Sequence, residues 1–295
     1  MPVLQPITTH RPRQALWSMA AATTALLLAL VGCTTLDEKQ REWIFQPSDR
    51  SWSGAAGAAE DMAEVWIHFT PGEHGSTPAT LHGLWLAQPQ ADAPVMLYLH
   101  GARWDVRSSA QRMRRMHELG FAVLGIDYRG FGRSSPGLPS EASADEDALT
   151  AWRWLAAQHP QSSRYLFGHS LGAAIAVHVA AATDDAAGVI VEGSFTSIAD
   201  VVHTTRWGWL PVAPLITQRF DAGAQIERVK APLLVVHGSQ DHLIDPALGR
   251  ALFERAPGPK RFVLVEGGTH HDTNAVGHEA YRDAVAELFG VRAMN

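Results

Sequence analysis

Residues 165–174, YLFGHSLGAA, decide how the chain is read, because they set a serine in Gly-x-Ser-x-Gly between an apolar run and a run of small residues. An apolar strand, a tight turn and a helix are the context in which this motif lifts a serine to an exposed strand end. There its hydroxyl meets the backbone N–H groups of the helix N-terminus. Gly168 and Gly172 permit close backbone approach, and Ala173, Ala174 and Ala176 let the new helix lie near the sheet. The bland alternative is one more serine in a turn.

Outward from this stretch, apolar β-rich runs alternate with helical patterns. EVWIHF, LHGLWLA and PVMLYLH come first, then a helical stretch Ser108–Leu119 and FAVLGIDY. A helix over about Ala142–His159, the run RYLFG, a helix after Ser170, GVIVEGSF and PLLVVHG follow, then a helix after Asp245, RFVLVEG and a last helix from about Ala275. Near-continuous apolar strands alternating with helices predict an α/β fold, a parallel sheet covered on both faces. Residues 196–231, with Trp207, Trp209, Leu210 and two prolines in VVHTTRWGWLPVAPLITQRF, break the rhythm and are read as a small lid over a pocket. The alternative is a surface helix with a long connector.

A serine is a weak nucleophile without a base in hydrogen-bond reach, itself oriented by a carboxylate. In this architecture the chain order is serine, acid, histidine. VVHGSQDHLIDP offers Asp241 just past the end of an apolar run, and VLVEGGTHHDT offers His270 and His271 after the next. Asp245 competes for the acid role, but it directly precedes Pro246 and a helical pattern, the place of an N-cap. His169 is expected to point into the fold, away from the site, and His178 to be a packing residue. An oxyanion hole needs two backbone donors. Leu171 N–H supplies one, and Ala102 N–H, in the loop His100-Gly101-Ala102-Arg103 after VMLYLH, is the candidate for the other. His270-His271-Asp272 has no second cluster at ligand spacing, so no metal is expected.

The 295 residues are 46% hydrophobic and 18% charged, ordinary for a globular protein and enough for one large α/β domain or two small ones. Thirty acidic against 24 basic residues leave a formal charge of −6, with no basic block beyond Arg112–Arg115, which excludes nucleic acid as a partner. His10, Arg11 and Arg13 precede the apolar stretch ALWSMAAATTALLLALVGC, which ends on Cys33, the single cysteine. Positive, then apolar, then small is the order of a secretory signal over residues 1–32. A permanent anchor helix is the alternative, since the uncharged run from Ala15 to Gly32 lies near the lower limit for spanning a bilayer. Residues 33–62, polar and then Ser/Gly/Ala-rich, read as a tether with few contacts of its own, ahead of a domain over 63–292.

Two resemblances sharpen these expectations. Leu30-Val31-Gly32-Cys33 resembles the bacterial lipobox, which implies a lipidated Cys33, membrane attachment through it and a cell-envelope location. Thr34 after it leans by resemblance toward the outer membrane, facing the periplasm. From about Glu64 to Phe289 the chain resembles the α/β-hydrolase superfamily, and within it the serine-aminopeptidase-like and depalmitoylase-like branch. The resemblance rests on LYLHGA, GIDYRGFGRSSPGLPSE, GHSLGAA, and VVHGSQDHLIDPALGRALFE with EGGTHHD, in that order. It implies a mostly parallel eight-stranded sheet, no cofactor, and a Ser170-Asp241-His270 triad; its pattern, histidine directly after Gly-Gly-x, selects His270 over His271. Asp127 and Arg129 are expected in turn hydrogen bonds of a structural loop. Where relatives often carry Asn and small residues after His-Gly, this chain reads Ala-Arg-Trp-Asp, so Arg103 and Trp104, with the lid tryptophans Trp207 and Trp209, are expected at the substrate. A small-molecule acyl substrate is implied: ester, thioester or, in a peptidase, amide. The rival from another class is a non-catalytic envelope lipoprotein.

Overall fold

The central apolar runs pair as the strands β3 (Val95–Leu99), β4 (Ala122–Ile126), β5 (Arg164–His169), β6 (Ala186–Glu192) and β7 (Leu233–Gly238) of one eight-stranded sheet, all buried but for the first residues of β5 and β6. The computed structural model describes residues 32, 34–50, 55–72, 77–206 and 208–292. The strand order is β1-β2-β4-β3-β5-β6-β7-β8, with β1 (Ala63–Phe69) and β8 (Lys260–Val265) at the edges. β2 (Ala79–Leu86) runs antiparallel to both β1 and β4, and every other pairing is parallel. The sequence pattern follows from this placement. Strands covered on both faces are apolar at nearly every position, whereas the edge strands keep exposed residues.

Two cores lie on the two faces. One packs the sheet against α4 (Glu141–Gln158) and α5 (Leu171–Ala182), with Trp152, Leu155, Ile175 and Val179 buried; the other packs it against α3 (Ala110–Glu118) and α10 (His278–Phe289), with Met113, Met116, Tyr281 and Val285. The helix after Asp245 is α8 (Pro246–Arg255), and Asp245 caps it by accepting from Ala247 N at 2.9 Å. The loop after β4 is held by more than its own turn. Asp127 accepts from Val106 N at 2.7 Å, and the Arg129 guanidinium pairs with Asp147 and Glu146 on α4, both at 2.6 Å.

The stretch read as a tether differs from its expectation. Residues 34–45 form a helix, α1, ending on Phe45, which is wholly buried and contacts Phe220 edge-on at 5.6 Å. Gln40 Nε2 donates to Leu215 O at 2.7 Å, and Gln40 Oε1 accepts from Thr217 N at 2.9 Å. Arg41 Nε donates to Pro139 O at 2.9 Å. The physical reason is local: the apolar turn Trp43-Ile44-Phe45 lies inside a polar segment, and burying Phe45 draws the helix onto the domain. Cys33 lies outside the described residues, as do residues 1–31. Among the described residues no helix is long and apolar enough to cross a membrane.

This docking sets a first prediction. Phe45→Ala is expected to cost about 3–5 kcal/mol of unfolding free energy, read by urea denaturation. A cost under about 1 kcal/mol would show that α1 does not belong to the fold.

Candidate active site

Five strand ends converge at one end of the sheet: the loop after β3, the β5–α5 turn, the end of β6, and the loops after β7 and β8. Ser170 alone separates β5 from α5, at φ 55° and ψ −121°. A left-handed backbone at a non-glycine residue is strained and persists only where neighbours enforce it. Here the neighbours are named. Ser170 N donates to Glu192 O at 2.9 Å, a Cβ on Gly172 would overlap the Leu99 carbonyl, and one on Gly168 would overlap the Gly172 carbonyl. The strand and helix therefore fold back tightly, and the hydroxyl stands clear.

That hydroxyl lies 2.9 Å from His270 Nε2, and His270 Nδ1 lies 2.7 Å from Asp241 Oδ2. Both partners are buried, at 6% and 5% exposure. Asp241 Oδ1 accepts from the Leu243 and Ile244 N–H groups, each at 2.9 Å, which orients the carboxylate. Burial alone would raise the Asp241 pKa, but hydrogen bonds from His237 and His270 and the Ile244 amide overcome it and hold the carboxyl well below its ordinary range. The folded carboxyl titrates below its unfolded value of 3.8, so its contribution to stability is complete above about pH 4 and is lost as the pH falls through the folded pKa.

The N–H groups of Ala102 and Leu171 make no hydrogen bond among the described residues, whereas the next amide, Arg103 N, is taken by Phe45 O at 2.8 Å. Two free donors beside a serine hydroxyl suit a developing oxyanion. α1 thus reaches the site through the Phe45 carbonyl. Arg103 itself sits at φ 84°, a second strained residue at the same site.

A cavity of about 300 Å³ opens over Ser170, and Arg103, Trp104, Arg115, His271 and Asp272 are among the residues lining it. Arg103 and Trp104, expected at the substrate, line it. Among the described residues of 196–231 none does: Trp209 is 76% exposed and away from the cavity, and Trp207 lies outside the described residues. The stretch is instead drawn sideways onto α1, where the Gln40 side chain bonds Leu215 and Thr217, and Gln218 Nε2 donates to Asp37 at 2.8 Å. A larger depression of about 580 Å³, lined by Pro94, Ser163 and Gly290, lies at the opposite ends of the strands and holds none of these groups. Among the described residues no group of three His, Cys, Asp or Glu side chains could hold a metal ion.

His169 corrects its expectation. Its ring lies 4.9 Å from that of His270, and its Nε2–H donates to the His270 carbonyl at 3.0 Å. It turns toward the site because the next strand supplies a polar floor there. Glu192, fully buried at the end of β6, accepts from Arg112 Nε at 2.8 Å and from the Tyr281 hydroxyl, and Arg112 Nη2 donates to His271 O at 2.8 Å and His270 O at 3.3 Å. Burial, then the charge of Arg112 and the neighbouring His270, push the His169 pKa well down, so the ring is neutral. His178 meets Asp145 at 3.1 Å, away from the serine. His237, fully buried, approaches Asp241 Oδ2 to 3.3 Å while its Nε2–H donates to Ile244 O at 3.0 Å.

Arg112 therefore ties the carbonyls of the His270 loop to a buried carboxylate. Removing one partner of a buried ion pair leaves the other charge unpaired, so Glu192→Gln is expected to cost about 3–5 kcal/mol in stability. It is also expected to lower kcat at temperatures where the variant is folded. An unchanged urea midpoint and an unchanged kcat together would show that the pair holds nothing in place.

The family described as serine aminopeptidase, S33, matches residues 90–221 and 206–274. An uncharacterized protein of Mycobacterium tuberculosis is 36% identical over 195 residues, 65% of this chain and 68% of its own length. The lysophosphatidylserine lipase ABHD12 of Danio rerio is 28% identical over 186 residues, 57% of this chain and 48% of its own length, so the chain spans about half of that relative. Among solved structures, the Pyrococcus furiosus esterase Pf2001 superposes with a TM-score of 0.64 at 17% identity, over 82% of this chain and 96% of that one. Est1E from Butyrivibrio proteoclasticus with bound ferulic acid gives 0.63 at 18% identity, over 77% and 99%. Likenesses at such identities show the fold they share.

Proposed function

The chain belongs to the serine aminopeptidase S33 family and is a hydrolase of the α/β-hydrolase fold, and from that premise we propose that it cleaves carboxylic esters or thioesters through an acyl-enzyme on Ser170. The observation that carries this reading is the hydrogen-bonded line Ser170 Oγ–His270 Nε2, 2.9 Å, and His270 Nδ1–Asp241 Oδ2, 2.7 Å. Ser170 Oγ attacks the acyl carbon while His270 Nε2 takes its proton. Asp241 stabilises the imidazolium, and the Ala102 and Leu171 N–H groups hold the tetrahedral oxyanion. Collapse expels the alcohol or thiol, which takes the proton back from His270. Water then repeats the sequence at the acyl-serine, releases the acid and restores the hydroxyl.

The names of the relatives favour acyl esters: one is a lysophosphatidylserine lipase and one solved neighbour is an esterase. The test is a panel of esters, thioesters and aminoacyl amides sharing one acyl group. Esters or thioesters are expected to exceed amides by at least tenfold in kcat/KM, and the reverse order would assign the site to a peptidase.

From the lipobox-like Leu30-Val31-Gly32-Cys33 we also propose a lipid on Cys33 and a place for the domain in the bacterial cell envelope, on the outer membrane facing the periplasm. α1 follows Cys33 at once and docks on the domain, so a lipid there would hold the catalytic body close to the bilayer surface. Palmitate labelling lost in Cys33→Ala is the expected outcome. Labelling that survives the substitution would refute the anchor.

A further inference from the structure

Charge at the mouth of the cavity is one-sided. Arg103, Arg112 and Arg115 line it against the single carboxylate Asp272. The chain as a whole is acidic, at −6, so this cluster is a property of the place and not of the composition. Among the described residues, two of these cations have no anionic partner. Arg112 is bound to buried Glu192, but the Arg103 side chain makes no hydrogen bond or ion pair among the described residues, and Arg115 reaches only Asn274 Oδ1, at 3.5 Å. The one acid of the rim is occupied as well: Asp272 Oδ1 accepts from the Thr269 N–H and hydroxyl, both at 2.7 Å.

The neighbours register the uncompensated charge. Burial and Arg112 lower the Arg115 pKa despite the opposing pull of Glu118 and Glu192. Burial, His270, Arg112 and Arg103 lower that of His271 despite Asp241. Cations gathered in a concave, partly desolvated site repel one another, and that cost is relieved when an anion occupies the site. Arg103 is also held in place: its φ of 84° and its N–H bond to Phe45 O fix the backbone from which the guanidinium projects.

Resting on the proposed esterase reading of this same site, we propose that Arg103 and Arg115 receive an anionic group of the substrate, so that the preferred esters carry a carboxylate or a phosphate. Both are oxyanions with the spacing a guanidinium fork binds through two parallel hydrogen bonds. The neutral remainder of the substrate lies along Trp104, which is 39% exposed at the same rim.

The test uses the full chain and two matched ester pairs. One compares a 1-acylglycerol 3-phosphate with the monoacylglycerol of the same acyl chain; the other compares an acyl ester of 4-hydroxybenzoate with that of 4-hydroxybenzamide. The readout is the ratio of kcat/KM, anionic over neutral, which cancels general damage to the site. At low ionic strength the ratio is expected to reach about tenfold in at least one pair and to shrink in high salt, where charge interactions are screened. The pair that shows it separates phosphate from carboxylate. Arg103→Gln and Arg115→Gln are each expected to lower that ratio by about threefold or more, in protein that still reacts with a fluorophosphonate. A ratio of one or less in both pairs overturns the proposal, as does a ratio that neither substitution moves. If Ser170-dependent hydrolysis of the neutral esters persists alongside such a result, the esterase reading stands and the anion site alone falls. If no ester of either pair is hydrolysed in a Ser170-dependent way, both fall.

Discussion

Ser170→Ala is expected to lower kcat on a short p-nitrophenyl ester by about a million-fold, the scale on which removing a triad nucleophile acts. The hydroxyl is the atom that bonds the acyl carbon, and among the described residues His270 Nε2 makes its hydrogen bond, at 2.9 Å, to this oxygen. What survives is the contribution of the oxyanion donors and of binding, since Ala102 and Leu171 keep their free N–H groups. The variant should fold at least as well as the parent, because alanine removes only an oxygen from a strained turn held by Gly168, Gly172 and the Ser170 N–H bond to Glu192. A urea midpoint near that of the parent, with activity gone, separates chemistry from folding. Retention of more than about a tenth of the parent kcat would mean that another group does the work.

Asp241→Asn is the second large effect, expected at about ten-thousand-fold in kcat near neutral pH, as when an amide forces the wrong histidine tautomer. Asp241 Oδ2 accepts from His270 Nδ1–H at 2.7 Å, and so leaves Nε2 free to take the serine proton. An asparagine that turns its NH2 toward Nδ1 reverses that assignment, because the proton must then sit on Nε2. His237 reinforces the demand for a full negative charge, lying 3.3 Å from the same oxygen. The loss should be almost wholly in kcat, with KM little changed, because the carboxylate is buried behind the histidine and touches no part of the cavity. An equal fall in affinity would place Asp241 in binding rather than in orienting the base.

The triad residues were legible because each marks a strand end. Ser170 and Asp241 each follow a buried, largely apolar strand and His270 follows the apolar end of the edge strand β8, and such runs end where polar loops begin. Asp245 and Asp241 could be told apart for the same reason, since the Pro after Asp245 marks a helix start and leaves Asp241 to the loop. Glu192 was not singled out, although the single acid closing the apolar strand in GVIVEG offered a signal for it. Its partner gave no such signal. Arg112 reads as one arginine among three on a helix, and only the folded placement of α3 lets its side chain reach Glu192 and the His270 loop. The lid expectation rested on composition, and tryptophans and prolines in a long connector do not say which way it leans. That direction is set by α1, 175 or more residues earlier in the chain, through Gln40 and Asp37.

The central claim is that Ser170 is a nucleophile activated by His270, and covalent trapping tests it most directly. The purified protein is treated with a fluorophosphonate, digested, and its peptides are read by mass spectrometry. One stoichiometric adduct on the peptide carrying Ser170 is expected, absent from Ser170→Ala and slowed by several orders of magnitude in His270→Ala. An intact protein that takes up no adduct, or one modified on a different serine at the same rate in all three forms, would contradict it.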